Sequence, residues 1–138
     1  YVENARTWAE DIAARCRKVA VERTGLTEAD FTIEMRLVGQ DATLGPLETG
    51  RTVPTEVGVL AIVTAPTEPQ AVEIAKILNP YLLHHALTEE EPMPTFAFPF
   101  SPAEMSRGAI YEFCLHHVMT LDNPMSAFRL EVSEVGHG

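Results

Sequence analysis

Small and aromatic apolar side chains recur every three or four positions in the opening stretch: Ala5, Trp8, Ala9, Ile12, Ala13, Cys16, Val19 and Ala20. Charged residues, among them Arg6, Glu10, Asp11, Arg15 and Lys18, fill the rest of the cylinder. That spacing predicts an amphipathic helix, and Gly25 after Thr24 suits a left-handed terminus. Thr27-Glu28-Ala29-Asp30 reads as a short capped turn. Phe31, Ile33, Met35 and Leu37 then alternate with Thr32, Glu34 and Arg36, the mark of a strand with one wet face. From Val57 to Val63 apolar side chains occupy both faces, which predicts a strand in the middle of a sheet.

Between these strands, Gly39 to Pro54 carries neither a helical nor a strand period. Loops beyond roughly 12–15 residues are uncommon inside compact domains and are often functional, so Gln40, Asp41 and Arg51 are the candidate binding residues there. A second helix should follow Thr67, which stands three residues before Gln70 as in a capping box, with Pro69 in the first turn. Its core face runs through Ala71, Ile74, Ala75, Leu78 and Leu82, and Asn79-Pro80 predicts a kink or break. Phe96, Phe98 and Phe100 share one side of a segment that Pro99 confines to an edge or bulge. Ser101-Pro102-Ala103-Glu104 repeats the capping-box form, so Ser101 is expected to cap a helix start. Ile110–Leu121 and Phe128–Val135 read as the last two strands, joined through Asp122-Asn123-Pro124.

This order predicts an α+β fold: two main helices packed on one face of a four- to five-stranded mixed sheet, in a single domain spanning residues 1–138. With 138 residues, 46% hydrophobic and 22% charged, the chain can bury a sizeable core, and disordered or collagenous classes are excluded. Three phenylalanines cannot all be covered by one proline-limited edge, so a homo-oligomer or a contact with another domain is expected. Twenty acidic against ten basic residues give a net charge of −10, which repels phosphate and argues against nucleic-acid and anionic-membrane partners. No apolar run approaches the roughly 18 residues of a membrane helix. Cys16 and Cys114 form no paired motif, which favours a reducing, cytoplasmic setting.

Chemistry is sparse. His84-His85 and His116-His117 are adjacent pairs, and neighbouring residues diverge on a helix or a strand, so neither pair chelates one ion and no metal site is expected. No phosphate-cradling or dinucleotide motif occurs, and no cofactor is expected. Ser101 or Cys114 with His117 as base would make a nucleophile, but a helix cap and a small buried hydrophobe are the simpler roles. The catalytic residues stay unknown, whether the chain is an enzyme stays open, and His117 joins the loop residues as a candidate binding group. As solvated loop groups, Asp41 and Arg51 should tolerate alanine within about 0.5 kcal/mol, whereas Ser101→Ala should cost about 0.5–2 kcal/mol.

Ala65-Pro66-Thr67, Leu82-Leu83-His84-His85, Ala97-Phe98-Pro99-Phe100-Ser101-Pro102, His117-Val118 and Phe128-Arg129-Leu130-Glu131 together resemble the C-terminal region of the AtuA-like (acyclic terpene utilisation) family of bacterial proteins. Glu89-Glu90-Glu91-Pro92 departs from the shorter, glycine-containing turn expected there. The resemblance implies a place in the catabolism of acyclic terpenes such as citronellol or geraniol, beside acyl-CoA enzymes. Family members are longer, so it also implies that this chain is the C-terminal domain of a longer protein whose missing N-terminal portion is a partner. The start on Tyr1, directly before a helical pattern, agrees with that expectation. The expected role is an accessory or assembly domain that lends loop residues to a site built mainly elsewhere. The alternative is a small enzyme domain acting on a terpene-derived or branched acid or its CoA thioester, with His117 or Asp41 as acid or base.

Overall fold

In the computed structural model, which describes residues 1–50, 52–93 and 97–136, helix α1 spans Ala5–Thr24 as the periodicity predicts. Arg51, Phe96 and His137 lie outside the described residues. Gly25 ends α1 with φ at 70°, and its amide donates to the Val21 carbonyl at 3.1 Å. Glycine enters this left-handed region without the Cβ clash that other residues meet. The turn that follows is capped as expected: Asp30 Oδ2 accepts from both the amide and the hydroxyl of Thr27, each at 2.7 Å.

Strand β1 covers Thr32–Val38 and strand β2 covers Gly58–Thr64; they pair antiparallel, with Thr32 opposite Thr64 and Val38 opposite Gly58. Along β1 burial alternates strictly, with Ile33, Met35 and Leu37 in the core and Thr32, Glu34 and Arg36 in water. Helix α2 runs Glu68–His84. The break expected at Pro80 does not occur. Pro80 sits in the last two turns, where its missing N–H leaves only the Lys76 carbonyl without its donor, and the helix carries through. At the other end the Thr67 hydroxyl donates to Gln70 Oε1 at 2.7 Å instead of capping a backbone amide.

α1 packs on β1 and α2, and α2 packs on β2, so the helices cover one face of the hairpin. Trp8, Ile12 and Cys16 from α1, Ile33 and Leu37 from β1, and Ile74 and Leu78 from α2 form one cluster. No described residue beyond Leu78 is buried.

The class is α+β, but among the described residues the sheet has two antiparallel strands, not the four to five of a mixed sheet. Residues 110–121 and 128–135, read as strands from their alternation, pair with nothing described and, apart from half-buried Leu121, lie exposed. Alternation records which side chains a neighbour would cover; it does not supply the neighbour. Between them Pro124–Ala127 forms a single 3-10 turn, with Asn123 Oδ1 accepting from the Met125 amide at 3.0 Å. Ser101 caps no helix, because residues 99–103 are bends, and Glu104 instead accepts from Asn79 Nδ2 at 2.7 Å.

Candidate functional site

The long loop folds back beside the N-terminal half of α1. Together with β1 it encloses a cleft of about 960 Å³ lined by Arg6, Glu34, Arg36, Gln40, Asp41 and Glu48, among others. Two of the sequence-predicted residues are therefore side by side on the cleft wall. Asp41 is engaged: the Arg6 guanidinium donates to both its oxygens, Nε at 3.1 Å to Oδ2 and Nη2 to Oδ1. Gln40 Nε2 donates to the Val2 carbonyl at 2.7 Å. Arg36 and Glu34, neighbours on the exposed face of β1, pair at 2.7 Å. The lining mixes polar groups with apolar ones such as Leu44, Pro46 and Val53, and its described cations, Arg6 and Arg36, are each paired with a carboxylate.

His117 stands elsewhere, on the exposed segment after Met105, and does not line the cleft. Cys114, expected in a core, is exposed on the same segment. Cys16 is the buried thiol; burial pushes it up to about 12, so it remains a neutral packing group. Among the described residues no group of three or more His, Cys, Asp or Glu is arranged to hold a metal ion.

Sequence reasoning missed the residues that decide the state of the sheet. Every edge strand turns half its N–H and C=O groups away from its neighbour. On β1 the carbonyl of Ile33 accepts from Arg17 Nη2 at 2.8 Å and that of Met35 from Arg6 Nη1 at 2.9 Å. The Leu37 carbonyl accepts from the Gln40 and Asp41 amides at 3.0 and 3.1 Å. Arg6 and Arg17 lie about three helical turns apart on one flank of α1, and that spacing beside an alternating strand was the available signal.

β2 has no such cover. None of its backbone groups bonds outside the β1 ladder among the described residues. Its side chains are correspondingly open: Val59 and Leu60 are 37% and 51% exposed, and Ala61, Ile62 and Val63 are only half buried. A strand apolar on both faces thus forms a bare edge.

From Met105 to Thr120 every residue is exposed. This arm leaves the body at Glu104, which Asn79 holds against α2 beside Leu83 and Phe100. Tyr111, Phe113, Val118, Leu130 and Val132 are all more than 80% exposed, an unusual load of large apolar groups for one segment.

The far end of α2 is fixed to α1 by a second polar cluster. The His85 ring lies 2.6 Å from Asp11 Oδ2, Arg15 Nε donates to the same oxygen at 2.9 Å, and Trp8 Nε1 donates to the His85 carbonyl at 2.8 Å. Arg15 chiefly, and His85 with it, hold the Asp11 carboxyl below its ordinary 3.8, against a smaller opposing effect of burial. A carboxyl with a depressed folded-state value stabilises the fold above the unfolded value, and that contribution is lost as pH falls through the folded value. The melting temperature should therefore drop as pH is lowered past 3.8. Asp11→Asn should make that drop shallower, and superimposable acid profiles for the two proteins would contradict the assignment.

Compared with known proteins, the chain matches no family profile, no curated protein and no solved structure. Among the described residues, no helix is long and apolar enough to cross a membrane.

Proposed function

We propose that this chain is an assembly module, docking on another polypeptide through the bare edge of β2 and the exposed arm that follows Glu104. One observation carries this reading: among the described residues β1's outward carbonyls are all occupied, while β2's outward backbone groups have no hydrogen-bond partner and the arm's large apolar side chains stay exposed. Uncovered strand edges are templates for pairing, and proteins that do not use them blunt them. β1 is blunted with arginines and a turn, whereas β2 carries no charged residue between Gly58 and Thr64.

The resemblance to the AtuA-like family supplies the proposed setting, a bacterial, cytoplasmic protein of acyclic terpene catabolism whose N-terminal portion builds the reactive site. The module contributes structure and cleft residues such as Gln40 and Asp41, and the chemistry resides elsewhere. Asp41 is held by Arg6, and His117 does not line the cleft.

The isolated chain is accordingly expected to turn over neither the acids derived from citronellol and geraniol nor their CoA thioesters, followed by chromatography of product. Turnover that tracks the purified chain and disappears with His117→Ala would replace the assembly reading with an enzymatic one.

A further inference from the structure

We infer that the occupant of the β2 edge is the arm of a second copy of this chain, exchanged reciprocally so that each copy's Ile110–Leu121 segment lies along the other's β2. This rests on the assembly reading above and names its partner.

The arm has the form the edge requires. At about 3.3 Å per residue, a twelve-residue extended segment spans the seven residues of β2 with length to spare. β2 is apolar on both faces, Val59, Ala61 and Val63 toward the helices and Leu60 and Ile62 away from them. A strand lying beside it needs apolar side chains to continue each face. Ile110–Leu121 supplies Tyr111, Phe113, Leu115, Met119 and Leu121, with His117, on one face and Ile110, Cys114 and Val118, with Glu112, His116 and Thr120, on the other. Phe128–Val135 is different, with Phe128, Leu130 and Val132 on one face and Arg129, Glu131 and Ser133 on the other. Arg129 and Glu131 pair at 3.4 Å on that polar face, which suits the outer margin of the contact.

A second copy satisfies what a one-sided partner does not. Each chain carries one bare edge and one uncovered arm, and reciprocal exchange about a two-fold axis occupies both at once in a finite dimer. The arm projects from its own body, fully exposed from its first residue, instead of lying back on its own β2. Charge does not oppose the contact locally. The chain's net charge is −10, yet β2 has no charged side chain and Ile110–Leu121 has only Glu112. Screening of the remaining repulsion by salt should tighten the association.

The test uses the full chain, with light scattering for mass and amide hydrogen exchange for pairing, from about 1 μM to about 1 mM. The inference expects a dimer at the upper end, and exchange protection at Val59, Ala61, Val63 and in the arm that rises in step with concentration. Leu115→Pro, which removes a ladder N–H from an arm that touches no core residue, should raise the dimer dissociation constant at least about tenfold. The far-ultraviolet melting curve at low concentration should not move, because the core ends at Leu78. A monomer with both segments unprotected throughout overturns the second copy as partner but leaves the edge free for another protein, so the assembly reading survives. A monomer with both segments protected at every concentration overturns both, since the arm then pairs with its own β2. A dimer indifferent to Leu115→Pro also overturns the inference.

Discussion

Trp8→Ala is expected to destabilise the fold by about 3–5 kcal/mol, measured by urea unfolding followed by far-ultraviolet circular dichroism. The indole is 7% exposed and joins the core cluster, while its N–H donates 2.8 Å to the carbonyl of His85, the residue that closes α2. Truncation therefore opens a large void and strands a carbonyl at the helix terminus, where Tyr81 already supplies the acceptor for the His85 amide. A domain of this size has total stability of about 5–15 kcal/mol, so the variant should be marginal at ambient temperature. Trp8→Phe separates the two contributions. It keeps most of the packing and loses the N–H, so its cost should fall to about 1–2 kcal/mol. A cost below about 1 kcal/mol for Trp8→Ala would mean that the two helices are held by something other than this contact.

The elements around Trp8 were legible because each is specified locally. The three-and-four spacing of Ala5 to Ala20, the glycine at 25, the alternation of Phe31 to Leu37 and the apolar run ending at Val63 all depend on neighbours in sequence. The structure differs at strand boundaries by about one residue, the ordinary uncertainty of where a ladder ends. What failed was everything that depends on a distant partner. The alternation from Ile110 onward has the form of a strand, yet the segment forms none, and no described segment pairs with it. Ser101 has the residues of a capping box without a helix to cap, because Glu104 is drawn to Asn79 across 25 positions. Arg6 read as part of the charged side of a helix, and the spacing of Arg6 and Arg17 does not by itself name the backbone carbonyls, 29 and 16 positions away, that their guanidinium groups reach. The reading of β2 as a central strand and its observed position at an edge are both informative. Its side chains are apolar on both faces, as in a central strand, while β1 is the one described strand beside it.

Arg6 and Asp41 reverse the stability expectations that loop position alone gives. Asp41→Ala should destabilise by about 1–2 kcal/mol, since it removes a two-pronged charged contact that is roughly two-thirds buried, discounted for the water that still reaches it. Ser101→Ala should stay within about 0.5 kcal/mol, as an exposed side chain in a bend with no helix to cap. Arg6→Ala should cost as much as Asp41→Ala or more, because it also uncovers the Met35 carbonyl. A double-mutant cycle isolates the shared part, and a coupling of about 1 kcal/mol between Arg6 and Asp41 is expected. Its larger consequence concerns the sheet. With Arg6 gone, β1 exposes backbone acceptors that the wild-type chain keeps covered, so the protein acquires a second bare edge opposite that of β2. A chain with one usable edge closes into a finite assembly, whereas one with two can add copies in both directions. Arg6→Ala, and more so Arg6→Ala with Arg17→Ala, should therefore shift light scattering from a single discrete mass toward a concentration-dependent series of larger species. Arg36→Ala, on the exposed face with its partner Glu34, should leave the mass distribution unchanged. If all three variants gave the same discrete species as the wild-type chain, the two arginines would not be what keeps β1 from pairing.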